Sequence, residues 1–472
     1  MNDPKATRRL QHWLLFLVLV LTFEGILRKK APPGVKQVIF FLKDFIAIWL
    51  AVHVARMRRP PTIQFLSTAY ATVAVLMIPV IVATAVHDPL LALFGAKQYL
   101  LFPVVGLAVF LAFENATRDE ILRFFRWIAL LVIPTSLVAL LQARLSPDHW
   151  LNLSVGGTSL ETFSAGDKLR VSSTFPFVAQ YGMFLNAQIF ITAITLTHLQ
   201  NLRRLWKVAC LSLLPLLVLG SYITGSRGAV VGNVAILLVA CGLAMTKLQS
   251  RVALRIAVLL AALYVAFIGM QHFFPSAFIA YRAREEGKLI GLSIEVRERT
   301  MASMFDWANV TGAPASFLGY GLGVMSNGSE ALSSYAAGWR SGGTWTETDF
   351  ATTLFEGGFY LMVVWYGFRY FVIYQTARRF LSGVKGDLAI SGAFCQGYVI
   401  MVGFTGTLGI QPPVAIWWWL GVGTSLVLWW KCVEPQPTDA GSGTPGLSVI
   451  TPATKLRGRS IYAEQLHSRD PQ

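Results

Sequence analysis

Long runs of apolar residues, separated by short polar stretches, cover most of the chain up to residue 433. A helix needs about 20 apolar residues to cross a bilayer, so the pattern predicts an all-α, polytopic integral membrane protein. Twelve spanning helices are predicted, at 11–27, 38–55, 63–85, 93–113, 121–142, 179–198, 206–223, 228–246, 253–273, 349–374, 388–408 and 413–430. The first run lacks a small-residue cleavage site, which favours a signal anchor over a cleaved peptide.

Lysine and arginine cluster in alternate short loops, and these loops all fall on the side of the N-terminus. Such loops are normally retained in the cytoplasm, so we expect both termini to be cytoplasmic. Two long segments, 143–179 and 272–349, then lie on the outward side, the second of them between helices nine and ten. The predicted transmembrane domain is 1–433, and 434–472, rich in Pro, Gly, Ser and Thr, is expected to be a disordered cytoplasmic tail.

One outward loop departs from this charge pattern. It contains four basic residues, Arg28, Lys29, Lys30 and Lys36. Two interpretations stay open: a functional basic patch, or a first hairpin that is itself half-buried.

The composition excludes several classes of protein. Of the 472 residues, 54% are hydrophobic and 14% are charged, whereas soluble domains carry about 25% charged residues. The net charge of +16 is scattered in short clusters between apolar runs, which is not the single basic face of a nucleic-acid-binding protein. The four cysteines have no paired spacing and the seven histidines form no metal motif, so we predict no metal site and no cofactor.

The stretch "SYITGSRGAVVG" places Arg227 at the predicted outward mouth between helices seven and eight. Small neighbours such as Thr224, Gly225 and Ser226 allow a ligand to approach closely. Helix eight begins here, so its free N–H groups add positive potential. The stretch predicts an anion site. The alternative is an interfacial arginine that extends to lipid headgroups.

A second arginine, Arg170, lies in "LRVSSTFPF" just before helix six. A bidentate guanidinium next to Ser172, Ser173 and Thr174 suits phosphate oxygens. The alternative is a loop arginine capped by the hydroxyl groups.

Carboxylates collect in "GGTWTETDFATTLFEGGFY", at the start of helix ten. Glu347 and Asp349 are candidates for a general base that accepts a proton from an attacking hydroxyl. Glu356 follows Asp349 by two helical turns on the same face, inside an apolar run where a charge is costly unless it is paired or wet. The alternative for Glu347 and Asp349 is helix capping, which Thr346 or Thr348 can serve as well.

The large loop adds basic and aromatic residues. Arg299 lies in "EVRERT", which is typical of a solvated helix with local ion pairs. Tyr335, Trp339 and Trp345 either stack on sugar faces or rest at the membrane interface.

Three motifs together resemble the O-antigen ligase / O-antigen polymerase superfamily of bacterial envelope enzymes. They are "TGSRGAVVG", "RVSSTF", and "GYGLG" followed by "TETDFATTLFEGGFYL". Twelve helices with a large outward loop between helices nine and ten are similar to the layout of that family. One departure is clear: the family often has a histidine–asparagine pair at the start of helix ten, where this chain has Glu347–Thr348–Asp349.

The resemblance implies metal-independent transfer of a glycan from an undecaprenyl-diphosphate donor to an acceptor hydroxyl, on the periplasmic face of the bacterial inner membrane. Arg170 and Arg227 are expected to hold the diphosphate. Because the histidine of the family is missing here, either a carboxylate, Glu347 or Asp349, acts as base, or the base is dispensable and stabilisation of the leaving group dominates. Supporting roles fall to four residues, Ser226, Thr174, Glu356 and Arg299. The acceptor is a growing glycan or a lipid core, so polymerase and ligase both stay open. Other polysaccharide export proteins are expected partners.

Two other functions stay open. A flippase or transporter of a lipid-linked saccharide or another anion is the first, because charges lie inside apolar runs at Glu24, Lys43, Asp44 and Lys97, and transporters place ionisable groups near the midplane. Glu24 and Arg28 are four residues apart and are also spaced for simple pairing. The second is a structural membrane subunit, which does not require Arg170 and Arg227 to converge.

Overall fold

The fold was determined as a computed structural model. It describes residues 3–157, 169–198, 203–247, 250–275, 278, 314, 316–326, 328–341, 348–386 and 388–433. This part of the chain is all-α, as predicted, and contains no β-strand. The chain divides after Val433, and the predicted tail and much of the long segment 272–349 lie outside the described residues.

Seventeen α-helices make up the described chain. In order they are α1 (Pro4–Lys30), α2 (Pro33–Arg56), α3 (Pro61–Leu76), α4 (Ile78–His87), α5 (Pro89–Leu100), α6 (Pro103–Phe113), α7 (Arg118–Leu130), α8 (Val132–Arg144), α9 (Val178–Leu196), α10 (Arg204–Leu211), α11 (Leu213–Ile223), α12 (Arg227–Met245), α13 (Ser250–Phe273), α14 (Ser334–Ser341), α15 (Asp349–Gly383), α16 (Leu388–Thr405) and α17 (Pro412–Val433). A short 3₁₀ turn covers Ser329–Ala331.

Nine helical segments of the described chain are long and apolar enough to cross a membrane. They are α1, α2, α3 with α4, α5 with α6, α7 with α8, α10 with α11, α12, α16 and α17. The protein therefore has the build of a polytopic membrane protein. The other three predicted spans coincide with α9, α13 and α15, so the total of twelve and the orientation stay predictions.

Prolines divide four of these segments into two helices each. Each break lies within three residues before a proline, namely Pro79, Pro103, Pro134 and Pro215. Proline has no N–H to donate to the preceding turn, and its ring clashes with the carbonyl four residues earlier. The helix is interrupted at these points, and each pair of helices still forms one segment long enough to cross a membrane.

The core of the bundle lies between α6 and α17. All residues of α6 are buried, and Trp417, Trp418 and Trp419 of α17 are at most 1% exposed. The outer helices are different, since apolar side chains such as Val86 and Leu238 are 79% and 68% exposed. Exposed apolar surface is unfavourable in water and is accommodated by lipid.

One end of the bundle, which we call the loop end, is where α1, α4, α8 and α11 finish and α2, α5, α9 and α12 begin. Described parts of both long segments pack there. Lys29 at the end of α1 contacts Leu151, and Leu322 donates its main-chain N–H to Thr84 near the end of α4, at 2.9 Å. The loop end corresponds to the predicted outward side.

Candidate functional site

The two segments that carry the predicted arginines meet at the loop end. Arg170 Nε donates a hydrogen bond to the main-chain oxygen of Thr224 at 3.5 Å, across 54 residues of sequence. Thr224 is fully buried and lies three residues before Arg227, the first residue of α12. Arg170 and Arg227 are both half-buried and both take part in further interactions. The fold thus brings the two segments to neighbouring positions.

A tight turn joins α11 to α12 at this point. Gly225 has a φ of 57°, in the left-handed region that glycine adopts without steric cost. The main-chain N–H of Ser226 donates to Thr224 Oγ1 at 3.0 Å. Ser226 occupies the N-cap position of α12, and its side chain makes no capping bond to the first turn of that helix. The positive end of the α12 dipole lies beside Arg227.

The segment that carries Arg170 is buried although it is not helical. Ser173 has a φ of 55°, a rare left-handed value for a residue with a Cβ. Non-helical backbone within a membrane bundle is tolerated where protein satisfies its polar groups. The side chain of Gln142 provides this, because its Oε1 accepts from Ser173 N at 2.7 Å and its Nε2 donates to Ser173 O at 3.2 Å.

Two hydroxyl groups of this segment donate hydrogen bonds to neighbouring helices. Thr174 Oγ1 donates to the main-chain oxygen of Thr22 in α1, and Ser173 Oγ donates to that of Thr135 in α8 at 2.6 Å. Our sequence interpretation assigned Thr174 a supporting role at the phosphate. Its hydroxyl attaches the segment to α1, and the supporting role stays a prediction.

α15 is not the continuous helix that the sequence predicted. It is broken at Gly358, where φ is 63° and ψ is −164°, and its two parts fold against each other. Asp349 and Arg369 would lie roughly 30 Å apart on a straight helix, but they form a buried ion pair. Tyr366 also donates to Asp349 Oδ2 at 3.0 Å, and Gly409 N donates to Oδ1 at 3.1 Å. With both oxygens engaged, Asp349 is better suited to hold the fold than to accept a substrate proton.

Arg369 is a polar residue that the sequence analysis missed. It is completely buried, and besides Asp349 it binds main-chain oxygens at the end of α16: Gly403 O at 3.0 and 2.6 Å, and Gly406 O at 3.0 Å. A cation at a helix C-terminus is favoured by the dipole. The available signal was a single arginine inside the apolar run "VVWYGFRYFVIY".

Glu356 lies at the break in α15 and is fully buried. Tyr99 OH donates to its Oε2 at 2.9 Å, and Met325 N donates to its Oε1 at 3.0 Å. The glycine-rich part of the large loop also binds the broken backbone, since Gly321 N donates to Glu356 O at 3.0 Å. A Cβ at Gly319 would lie 2.4 Å from the main-chain nitrogen of Gly357, so glycine permits the close approach. Glu356 thus attaches the large loop to α15.

The charges inside the first helices form ion pairs. Glu24 binds Arg28 at 2.8 Å and Lys43 at 3.1 Å, and Asp44 binds Lys97 at 2.7 Å. The pairing of Glu24 with Arg28, predicted from their spacing, is confirmed. These ion pairs link α1, α2 and α5. The charges that the sequence analysis connected with a transporter therefore have a structural role.

The basic residues of the first hairpin contact the segment after α8. Lys29 Nζ donates to Leu151 O at 2.5 Å, Lys36 Nζ donates to Val155 O at 3.1 Å, and Lys30 Nζ lies 4.3 Å from the centre of the Trp150 ring. Among the two interpretations of this loop, the contacts favour the half-buried hairpin.

Several predicted residues stay untested. Glu347, Arg299 and Trp345 lie outside the described residues. Tyr335 stacks on His87 with ring centres 5.0 Å apart, and its hydroxyl donates to Tyr320 O at 2.8 Å. Tyr335 thus packs on His87 and bonds to Tyr320, and sugar stacking stays a prediction.

Known proteins add nothing to this geometry. Comparison of the chain with protein-family models, with curated proteins and with solved structures found no match.

Proposed function

We propose that this protein is a membrane glycosyltransferase that moves a glycan from an undecaprenyl-diphosphate donor to an acceptor hydroxyl. The observation that carries the proposal is the contact between Arg170 and Thr224. It gathers two arginine-bearing segments and the N-terminus of α12 at one place. A diphosphate needs several fixed positive groups, and helix N-termini and guanidinium forks are the groups that bind phosphate best.

In the proposed reaction the acceptor oxygen attacks the anomeric carbon of the donor sugar. The bond from that carbon to the diphosphate oxygen breaks, and undecaprenyl diphosphate leaves with the electron pair. Arg170 and Arg227 stabilise the charge that develops on the leaving group. As the resemblance implies, the proposed reaction is metal-independent, with the guanidinium groups supplying the positive charge, and we propose no cofactor.

A base must take the proton of the acceptor hydroxyl, and we assign this to Glu347. Asp349, the other candidate, has both oxygens bound to Arg369, Tyr366 and Gly409. Its ion pair anchors the chain two residues after Glu347. In the proposal Asp349 is then a positioning residue, two residues along the chain from the base.

The proposed setting is the periplasmic face of a bacterial inner membrane, with both termini cytoplasmic. The acceptor is a growing glycan or a lipid core, for a polymerase or a ligase respectively. Other polysaccharide export proteins are the proposed partners. The loop end, where Arg170 and Arg227 lie, also holds described parts of both long segments, which suits the handling of a bulky glycan.

The test is replacement of Arg227 by alanine and by lysine, with transfer measured from a lipid-linked donor. Removal of one transition-state donor costs about 10²- to 10³-fold in rate, so we expect a loss of this order for Arg227→Ala. Arg227→Lys keeps the charge but loses the fork and should recover only part of the rate. Arg123, an exposed arginine on α7, is the matched control, and Arg123→Ala should stay within about twofold. Near-normal transfer by both Arg227 variants refutes the proposal.

One observation favours a second function, transport of a lipid-linked saccharide or another anion. Glu356 is buried beside a broken helix, its bound donors are the neutral groups Tyr99 OH and Met325 N–H, and transporters build ion sites from such breaks. Purified protein in vesicles distinguishes the two functions. Movement of a lipid-linked saccharide across the bilayer without transfer supports transport, and transfer without movement supports the enzyme.

A further inference from the structure

The first helix forms a wall against which the Arg170 segment lies. Gly25 faces the backbone of this segment, and a Cβ there would lie 2.0 Å from Phe175 C and 2.3 Å from Pro176 N. The main-chain N–H of Ile26 donates a hydrogen bond outside the helix, to Thr174 O at 2.9 Å. The position of the segment is therefore set by α1, through contacts that only a glycine-containing face allows.

Lys29 lies one helical turn beyond Gly25 on α1 and reaches both described parts of the 143–179 segment. Its ammonium donates to Leu151 O at 2.5 Å and lies 3.5 Å from Ser172 Oγ. Ser172 is two residues from Arg170, a separation of at most about 7 Å along the chain. Gln142 makes a parallel bridge from α8, because its Nε2 donates to Leu151 O at 2.7 Å as well as to Ser173 O.

We infer that Lys29 is a positioning residue for Arg170: its ammonium fixes the Ser172 end of the segment so that the Arg170 guanidinium stays beside Thr224 and the start of α12. The inference rests on the proposed function, since it concerns the same diphosphate site. It also gives a role to a basic residue on the side of the membrane where lysine is uncommon. The neighbouring Lys30 contacts Trp150 instead and does not share this role.

The test measures binding of farnesyl diphosphate to the full-length protein in detergent, so it needs no knowledge of the sugar. Residues in one hydrogen-bond network couple strongly, and we expect Lys29→Met to raise the Kd about tenfold. Lys29→Arg keeps the charge and the donors and should restore binding to within about twofold of the unchanged protein. Lys30→Met, which removes a charge one residue away, is the matched control and should also stay within about twofold.

The same substitution in a protein that already carries Arg170→Ala distinguishes positioning of Arg170 from a general loss of structure. If Lys29 acts through Arg170, then Lys29→Met should change the Kd by less than about twofold in a protein that already carries Arg170→Ala. An equal loss in both backgrounds, an equal effect of Lys30→Met, or no effect of Lys29→Met overturns the inference. Should Lys29→Met not fold, Ser172→Ala removes the contact with Lys29 from the side of the segment, and unchanged binding by that variant is equally contrary to the inference.

Failure of the proposed function gives a different result. In that case the unchanged protein does not bind farnesyl diphosphate, or Arg227→Ala binds it equally well, and both proposals fall. If Arg227→Ala weakens binding while Lys29→Met does not, only the role of Lys29 is lost.

Discussion

Replacement of Asp349 by asparagine separates the two roles open to this residue. The change keeps the shape of the side chain and removes its charge, which leaves Arg369 charged and completely buried. Breaking a buried ion pair from one side costs about 3–5 kcal/mol, because the remaining charge loses its partner in a low-dielectric interior. Arg369 keeps its three bonds to Gly403 O and Gly406 O, so the loss should fall near the lower limit, about 3 kcal/mol.

The assay is thermal unfolding of the purified protein in detergent, run beside donor turnover at a temperature where the variant stays folded. We expect Asp349→Asn to unfold at a clearly lower temperature. The double variant Asp349→Asn with Arg369→Gln removes both charges, keeps an acceptor near Tyr366 and Gly409 and keeps a donor for the carbonyls of α16. It should recover part of the lost stability, because paired removal leaves no uncompensated ion.

Two outcomes contradict this reasoning. If Asp349→Asn keeps the unfolding temperature and abolishes transfer, then Asp349 acts on the substrate and the ion pair contributes little. If the double variant is less stable than Asp349→Asn, the two side chains do not act as a pair. A stable, inactive variant would return Asp349 to the position of candidate base.

The remaining predictions concern the attachment of the large loop. Glu356→Gln keeps an acceptor for Tyr99 OH and should destabilise the protein less than Glu356→Ala, which leaves two buried donors unsatisfied at about 1–3 kcal/mol each; equal unfolding temperatures would contradict the contacts. The pKa of Asp88 is lowered from its ordinary value of 3.8, mainly by the Ser333 hydroxyl and also by the N–H groups of Leu91 and Leu90. This stabilisation is therefore complete above pH 3.8 and is lost as the pH falls through the lower folded-state pKa. Proteolysis of the loop should accelerate on such acidification, and Asp88→Asn should remove the pH dependence.

The local part of the architecture follows from the sequence. The apolar runs predicted the all-α membrane build. Prolines mark where four segments are interrupted, because the missing N–H acts within one helical turn. The pairing of Glu24 with Arg28 at 2.8 Å was also readable, since residues four apart share a helix face. Arg170 and Arg227 stood out because charge is costly beside apolar runs.

Contacts between distant residues were decided only by the tertiary structure. Spacing along a helix placed Asp349 and Glu356 on one face, but the break at Gly358 folds Asp349 back on Arg369. Glu356 finds its donor in Tyr99, 257 residues away, and Lys29 contacts Ser172 across 143 residues. A sequence specifies which groups need partners, because an unsatisfied buried polar group is costly wherever it lies. Which partner each group receives depends on how the helices pack, and no local pattern contains that information.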